Sequence, residues 1–61
     1  MLKLNDFLMI LNEYDMIKIC DGDIILFYGL VVRCYLCGYG DKYVQSMQVN
    51  NGQYIINIAH L

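Results

Sequence analysis

Two dipeptides constrain this chain more than anything else in it. Asp21-Gly22 follows the apolar run Met16-Ile17-Lys18-Ile19-Cys20, and Asn51-Gly52 precedes Tyr54-Ile55-Ile56-Asn57-Ile58. Asp-Gly and Asn-Gly supply adjacent residues that tolerate positive φ, which a two-residue antiparallel hairpin needs. The spacing predicts two hairpins. In the first, Met16–Cys20 meets a strand running from Asp23 to about Val32; in the second, Tyr43–Val49 meets Tyr54–Ile58.

Ahead of them, Leu4, Phe7, Leu8, Ile10, Leu11 and Tyr14 form an apolar stripe at three- and four-residue spacing, which predicts a short amphipathic helix over residues 5–14. Asn5 or Asp6 is placed to cap it, and Asp6 complements the positive helix start. A helix this short is marginal alone and has to lie on the sheet. The fold expected is α+β: an N-terminal helix packed on a four-stranded antiparallel sheet made of two hairpins, in a single domain over residues 1–61.

The second strand raises a difficulty. Its run Ile24-Ile25-Leu26-Phe27-Tyr28 does not alternate, and continuous apolarity in a strand predicts cover on both faces. One helix covers one face. Hydrophobic residues make up 59% of only 61 residues, against the usual ~45–50%, and so short a chain has little interior in which to place them. Self-association, as a homodimer or higher oligomer, is the expected remedy.

Charge narrows the partners. Six acids stand against four bases, a formal charge of −2, and no basic stripe exists to displace phosphate counterions. Direct binding of nucleic acid by a single copy is therefore not expected, whereas a basic protein partner is compatible. The uncharged apolar run Ile24 to Val32 falls well short of the ~20 residues of a membrane helix, and no signal-peptide pattern is present. Cytoplasm is the expected compartment, and three cysteines, an odd number, do not make a secreted disulfide framework.

Several residues invite chemistry. Cys34-Tyr35-Leu36-Cys37-Gly38 is a C-x-x-C-G, in which two thiolates can reach one tetrahedral zinc; structural zinc needs two more ligands, and only Cys20 and His60 remain. A redox pair would open a helix after a strand, which Gly38 and Gly40 disfavour. The plainer reading is two reduced thiols used as small packing residues. Asp21 and Asp23 could hold a divalent cation, yet Asp-Gly-Asp is also what a hairpin tip looks like. His60 near the chain end pairs with nothing that would make a catalytic set. No catalytic residue, cofactor or metal is assigned, and an enzymatic role is not expected.

Tyr14, Tyr28, Tyr35, Tyr39, Tyr43 and Tyr54 give large contact area with a polar tip, and three of them fall in or beside the irregular stretch 33–42 at four-residue intervals. Such residues are enriched where proteins meet. Tyr28, Tyr35, Tyr39 and Tyr43 for area, with Asp15, Asp21 and Asp23 for charge, are the candidate partner-binding residues.

The layout also resembles a known group. The opening Leu4-Asn5-Asp6-Phe7-Leu8-Met9-Ile10-Leu11, then Lys18-Ile19-Cys20-Asp21-Gly22-Asp23, the Tyr28-Gly29 strand end and Val49-Asn50-Asn51-Gly52-Gln53-Tyr54-Ile55-Ile56 are similar to very short phage and mobile-element proteins of low-GC Gram-positive bacteria. Some of these resemble small anti-defence proteins, including anti-CRISPRs that act as oligomers, one kind with a sheet-rich fold like the single-strand-binding coactivators. The resemblance implies a host-cell protein that occludes a protein partner as a homo-oligomer. It differs from the coactivator pattern in opening with its helix and in lacking a basic groove. Two alternatives stay open: a sheet-based nucleic-acid module or DNA-nicking oligomer using Asp21 and Asp23, and a small zinc-stapled domain using Cys34 and Cys37.

Overall fold

The computed structural model describes residues 2–59, so His60 lies outside the described residues. In chain order the elements are α1 (Leu4–Leu8), β1 (Met16–Asp21), β2 (Ile24–Leu30), α2 (Val31–Cys34), β3 (Val44–Asn50) and β4 (Gln53–Ile58). Both hairpins form. Asn51 and Gly52 take φ of 53° and 76°, the left-handed pair that Asn-Gly was expected to supply. The first turn falls one residue later than expected: Asp21 ends β1, Gly22 alone takes positive φ at 60°, and Gly22-Asp23 make the turn.

The sheet corrects the expectation of a purely antiparallel arrangement. Its order is β2-β1-β4-β3, with β1 and β4 adjacent and parallel. The two antiparallel hairpins are thus joined through the second strand of one and the first strand of the other, and the sheet is mixed. Burial explains the order. Ile17 and Ile19 of β1 and Ile56 and Ile58 of β4 are buried, and central strands shed more water than edge strands do. The polar β3 (Val-Gln-Ser-Met-Gln-Val-Asn) is left at an edge. The start of β3 is partly shielded, because Val44 N–H donates to the Leu2 carbonyl and Leu4 N–H to the Lys42 carbonyl, both at 2.8 Å.

The helix also differs from expectation. It spans Leu4–Leu8, and its N-cap position is Lys3 with no side-chain cap, so neither Asn5 nor Asp6 caps it. After Leu8 the chain tightens into i→i−3 bonds, Ile10 N–H to the Phe7 carbonyl and Leu11 N–H to the Leu8 carbonyl. Asn12 then stops any helical continuation: its Oδ1 accepts the Tyr14 N–H at 2.9 Å and its carbonyl accepts the Asp15 N–H at 3.1 Å, a local turn that competes with the helix ladder. Ile10 and Tyr14, expected on the buried stripe, are exposed as a result.

α2 resolves the start of the irregular stretch. Expected strand up to Val32 instead gives way to one helical turn, anchored by Val31 N–H to the Asp15 carbonyl and Val32 N–H to the Glu13 carbonyl, both 2.9 Å. The core lies between this helical layer and one face of the sheet: Leu4, Phe7 and Leu8 from α1, Val31 and Cys34 from α2, and Ile17, Ile19, Ile56 and Ile58 from the sheet.

A β-bulge accounts for much of the non-alternating run. Ile19 pairs with Phe27 and Cys20 with Ile25, leaving Leu26 as the extra residue. Leu26 and Phe27, adjacent in sequence, therefore both pack against the core. The remaining members, Ile24, Ile25 and Tyr28, are exposed. Within one chain the second face of β2 is bare.

Candidate functional site

Three places on the molecule carry the residues singled out by sequence. The first is an open cleft of about 380 Å³ at the end of the sheet where the parallel strands β1 and β4 finish. Asp21 and Ile58 line it from those strand ends, Leu26 from the bulge, and Tyr39, Asp41, Lys42 and Tyr43 from the segment entering β3. That segment is positioned by backbone bonds: Lys42 N–H to the Tyr39 carbonyl at 3.0 Å and Ala59 N–H to the Tyr43 carbonyl at 2.7 Å. The cleft thus joins phenols, two carboxylates, an ammonium and an apolar floor, a combination suited to contact with a mixed polar and apolar group. Leu26, Asp41, Lys42 and Ile58 had no signal in the sequence, because only the strand order brings them together.

The second place is the face of the sheet turned away from the helices. Tyr28 lies opposite Lys18 in register, and the Lys18 ammonium stands 5.2 Å from the centre of the Tyr28 ring. The Tyr28 hydroxyl donates to Gln53 Oε1 at 2.9 Å, reaching diagonally across β1 to β4. These two contacts hold the phenol flat along an otherwise open face. Ile25 extends the apolar surface at 56% exposure.

The third is the cysteine pair. Cys34 closes α2 and is buried, while Cys37 is half-buried in the loop that follows. Their sulfurs lie 3.7 Å apart, and the Cys37 thiol donates to the Cys34 carbonyl at 2.7 Å. Burial pushes the Cys34 thiol from its ordinary 9.0 up to about 12, with the neighbouring Cys37 adding to the shift. Cys34 in the free chain is therefore a packing residue and a poor nucleophile.

The structure distributes the candidate partner-binding residues among these places. Tyr39, Tyr43 and Asp21 meet at the cleft; Tyr28 lies on the open face; Tyr35 is exposed beside the cysteine pair. Asp23 sits in the β1–β2 turn. Asp15 precedes β1 and Asp21 ends it, so a strand length of about 20 Å separates them and the three aspartates do not form one patch. Among the described residues no three His, Cys, Asp or Glu side chains gather in a metal-holding group, and no helix is long and apolar enough to cross a membrane.

No protein-family model, curated protein sequence or solved structure matches the chain.

Proposed function

We propose that this chain is a small binding protein that assembles with further copies of itself and occludes a protein partner, in the phage–host interference setting implied by its resemblance to anti-defence proteins. The observation that carries this reading is the bare face of β2. Ile25 and Tyr28 present apolar surface on the face of the sheet turned away from the helical layer of the described residues. Burying such surface is worth roughly 25 cal/mol per Å², and contiguous exposed apolar surface of this kind marks contact sites.

Self-association covers the β2 face, and the cleft is left for the partner. Tyr39 and Tyr43 supply contact area there, and Asp21 and Asp41 favour a basic group. Occlusion requires nothing of the chain but shape and surface.

Light scattering on purified protein tests the first half. A mass that is a multiple of the 7.1 kDa chain, reduced to a single copy by Ile25→Lys, is expected. A folded single copy at hundred-micromolar concentration sinks the reading. Co-expression with a bacterial defence system tests the second half: restored phage growth is expected, and it is lost in a Tyr39→Ala, Tyr43→Ala double variant. Unchanged defence overturns the occlusion role.

A further inference from the structure

We infer that the free edge of β3 pairs antiparallel with the β3 edge of a second copy, about a two-fold axis at Gln48, making one continuous sheet across both chains. The inference rests on the self-association proposed above and adds to it a contact away from the β2 face.

The edge is open and unguarded. β3 lies at one end of the strand order and, among the described strands, pairs only with β4. Its start is occupied, since Lys3 bridges to Tyr43 and the Val44 N–H donates to the Leu2 carbonyl. From Ser46 to Asn50 no described segment covers it. Exposed edges are normally blunted by a charge, a proline or a bulge. No residue from Tyr43 to Ala59 is charged, and the chain has no proline. The irregularity of β3 falls between Val44 and Ser46, ahead of the free stretch. β2, at the other edge, is uncharged too, but the bulge at Leu26 interrupts it.

The turn fixes which main-chain groups face outward. A two-residue hairpin closes on a pair that exchanges both main-chain bonds, here Asn50 and Gln53. Alternation then aims the groups of Ser46 and Gln48 at β4, and those of Met47 and Val49 at water. A two-fold axis at Gln48 sets Met47 of each copy opposite Val49 of the other. Their N–H and C=O groups meet as bonded pairs, and Gln48 faces Gln48 in the closer, unbonded position between them.

Side chains select the occupant. Met47 and Val49 lie opposite Ile56 and Tyr54, on the core face, yet they remain 44% and 60% exposed where the sheet ends. Ser46, Gln48 and Asn50 lie on the other face. The order polar, apolar, polar, apolar, polar reads the same from either end of Ser46–Asn50. An antiparallel copy therefore brings apolar to apolar and amide to amide, with no like charges opposed. The incoming strand turns back at its own Asn51-Gly52, beside Gln45, and so stops short of the Leu2 contact at Val44.

So short an edge buries less than the ~1,200 Å² of a stable interface. The pairing therefore joins units already held through the β2 face, each of which offers more than one such edge.

The experiment is light scattering on the full chain with Gln48→Lys and Gln48→Glu, apart and mixed. Gln48 is exposed and opposes itself at the axis, so each variant alone sets like charges face to face. Each is expected to show about half the wild-type mass, and an equimolar mixture to restore it. Val49→Pro removes an edge-side N–H and no bond to β4, and is expected to lower the mass equally with the circular dichroism spectrum retained. Unchanged masses for the separate variants overturn the edge pairing and leave self-association standing. A mixture that stays at the lower mass also overturns it, since the edge then takes some other strand. A single copy of the wild-type chain under every condition sinks both readings.

Discussion

Ile19 on β1 and Ile56 on β4 face each other across the parallel strand pair, and both are completely buried. Their contact joins the two hairpins into one sheet. Each hairpin alone is at best marginally stable in water, so the fold depends on this seam. Ile19→Ala or Ile56→Ala is expected to remove about 2–5 kcal/mol, enough to unfold much of so small a domain at room temperature. Urea titration followed by circular dichroism reads the loss, and Met47→Ala on the exposed edge strand provides the contrast, with a change under about 1 kcal/mol.

The second hairpin turn isolates a purely conformational term. A Cβ added at Gly52 meets nothing within 4 Å, yet the residue holds φ of 76°. Gly52→Ala is therefore expected to lower stability by roughly 1–2 kcal/mol with no change in packing. Gly52→Asn, which tolerates the left-handed region better, should recover part of it. Thermal melts of the two variants provide the measurement.

Cys34 sets an alkaline limit. Its folded-state proton is held up to about pH 12, against an ordinary 9.0 for the thiol in the unfolded chain. The group's contribution is therefore complete below about pH 9 and is lost as pH rises through that window. Cys34→Val is expected to flatten this part of the stability profile. At pH 8 a thiol reagent should label Cys37 quickly and reach Cys34 only when the chain opens, which peptide mass mapping detects.

The Tyr28 hydroxyl tests how far the open face is ordered within one copy. Tyr28→Phe removes the bond to Gln53 and keeps the ring beside Lys18. Because this bond is exposed to water, the expected change in stability is about 0.5 kcal/mol or less. A larger loss, seen only at concentrations where the chain associates, would place the hydroxyl inside the assembled interface.

Local stereochemistry was legible in the sequence. Asn51-Gly52 and Asp21-Gly22 located both hairpins to within a residue, because positive φ is a property of individual residues and needs no knowledge of the rest of the chain. The opening helix was also visible, but its length was not. Periodicity carried the apolar stripe to Tyr14, while the Asn12 turn ended the helical region and left Ile10 and Tyr14 in water.

The non-alternating run on β2 shows the boundary most clearly. Ile24–Tyr28 reads as a strand covered on both faces, yet the extra residue Leu26 turns two consecutive side chains to the core and leaves three others bare. A bulge arises from pairing with β1, so a one-dimensional pattern cannot distinguish it from two-sided burial. The cleft was equally hidden, since Asp21, Leu26, Tyr43 and Ile58 converge only once β1 and β4 lie side by side.

By itself, then, the sequence determined where the chain bends, which segments extend and how much apolar surface a single copy carries, all of them sums over neighbouring residues. The tertiary structure decided that β1 and β4 run parallel at the centre, where the bulge falls and which side chains share the cleft. Those outcomes depend on how much surface each possible strand order removes from water, a comparison among distant segments that no local pattern contains.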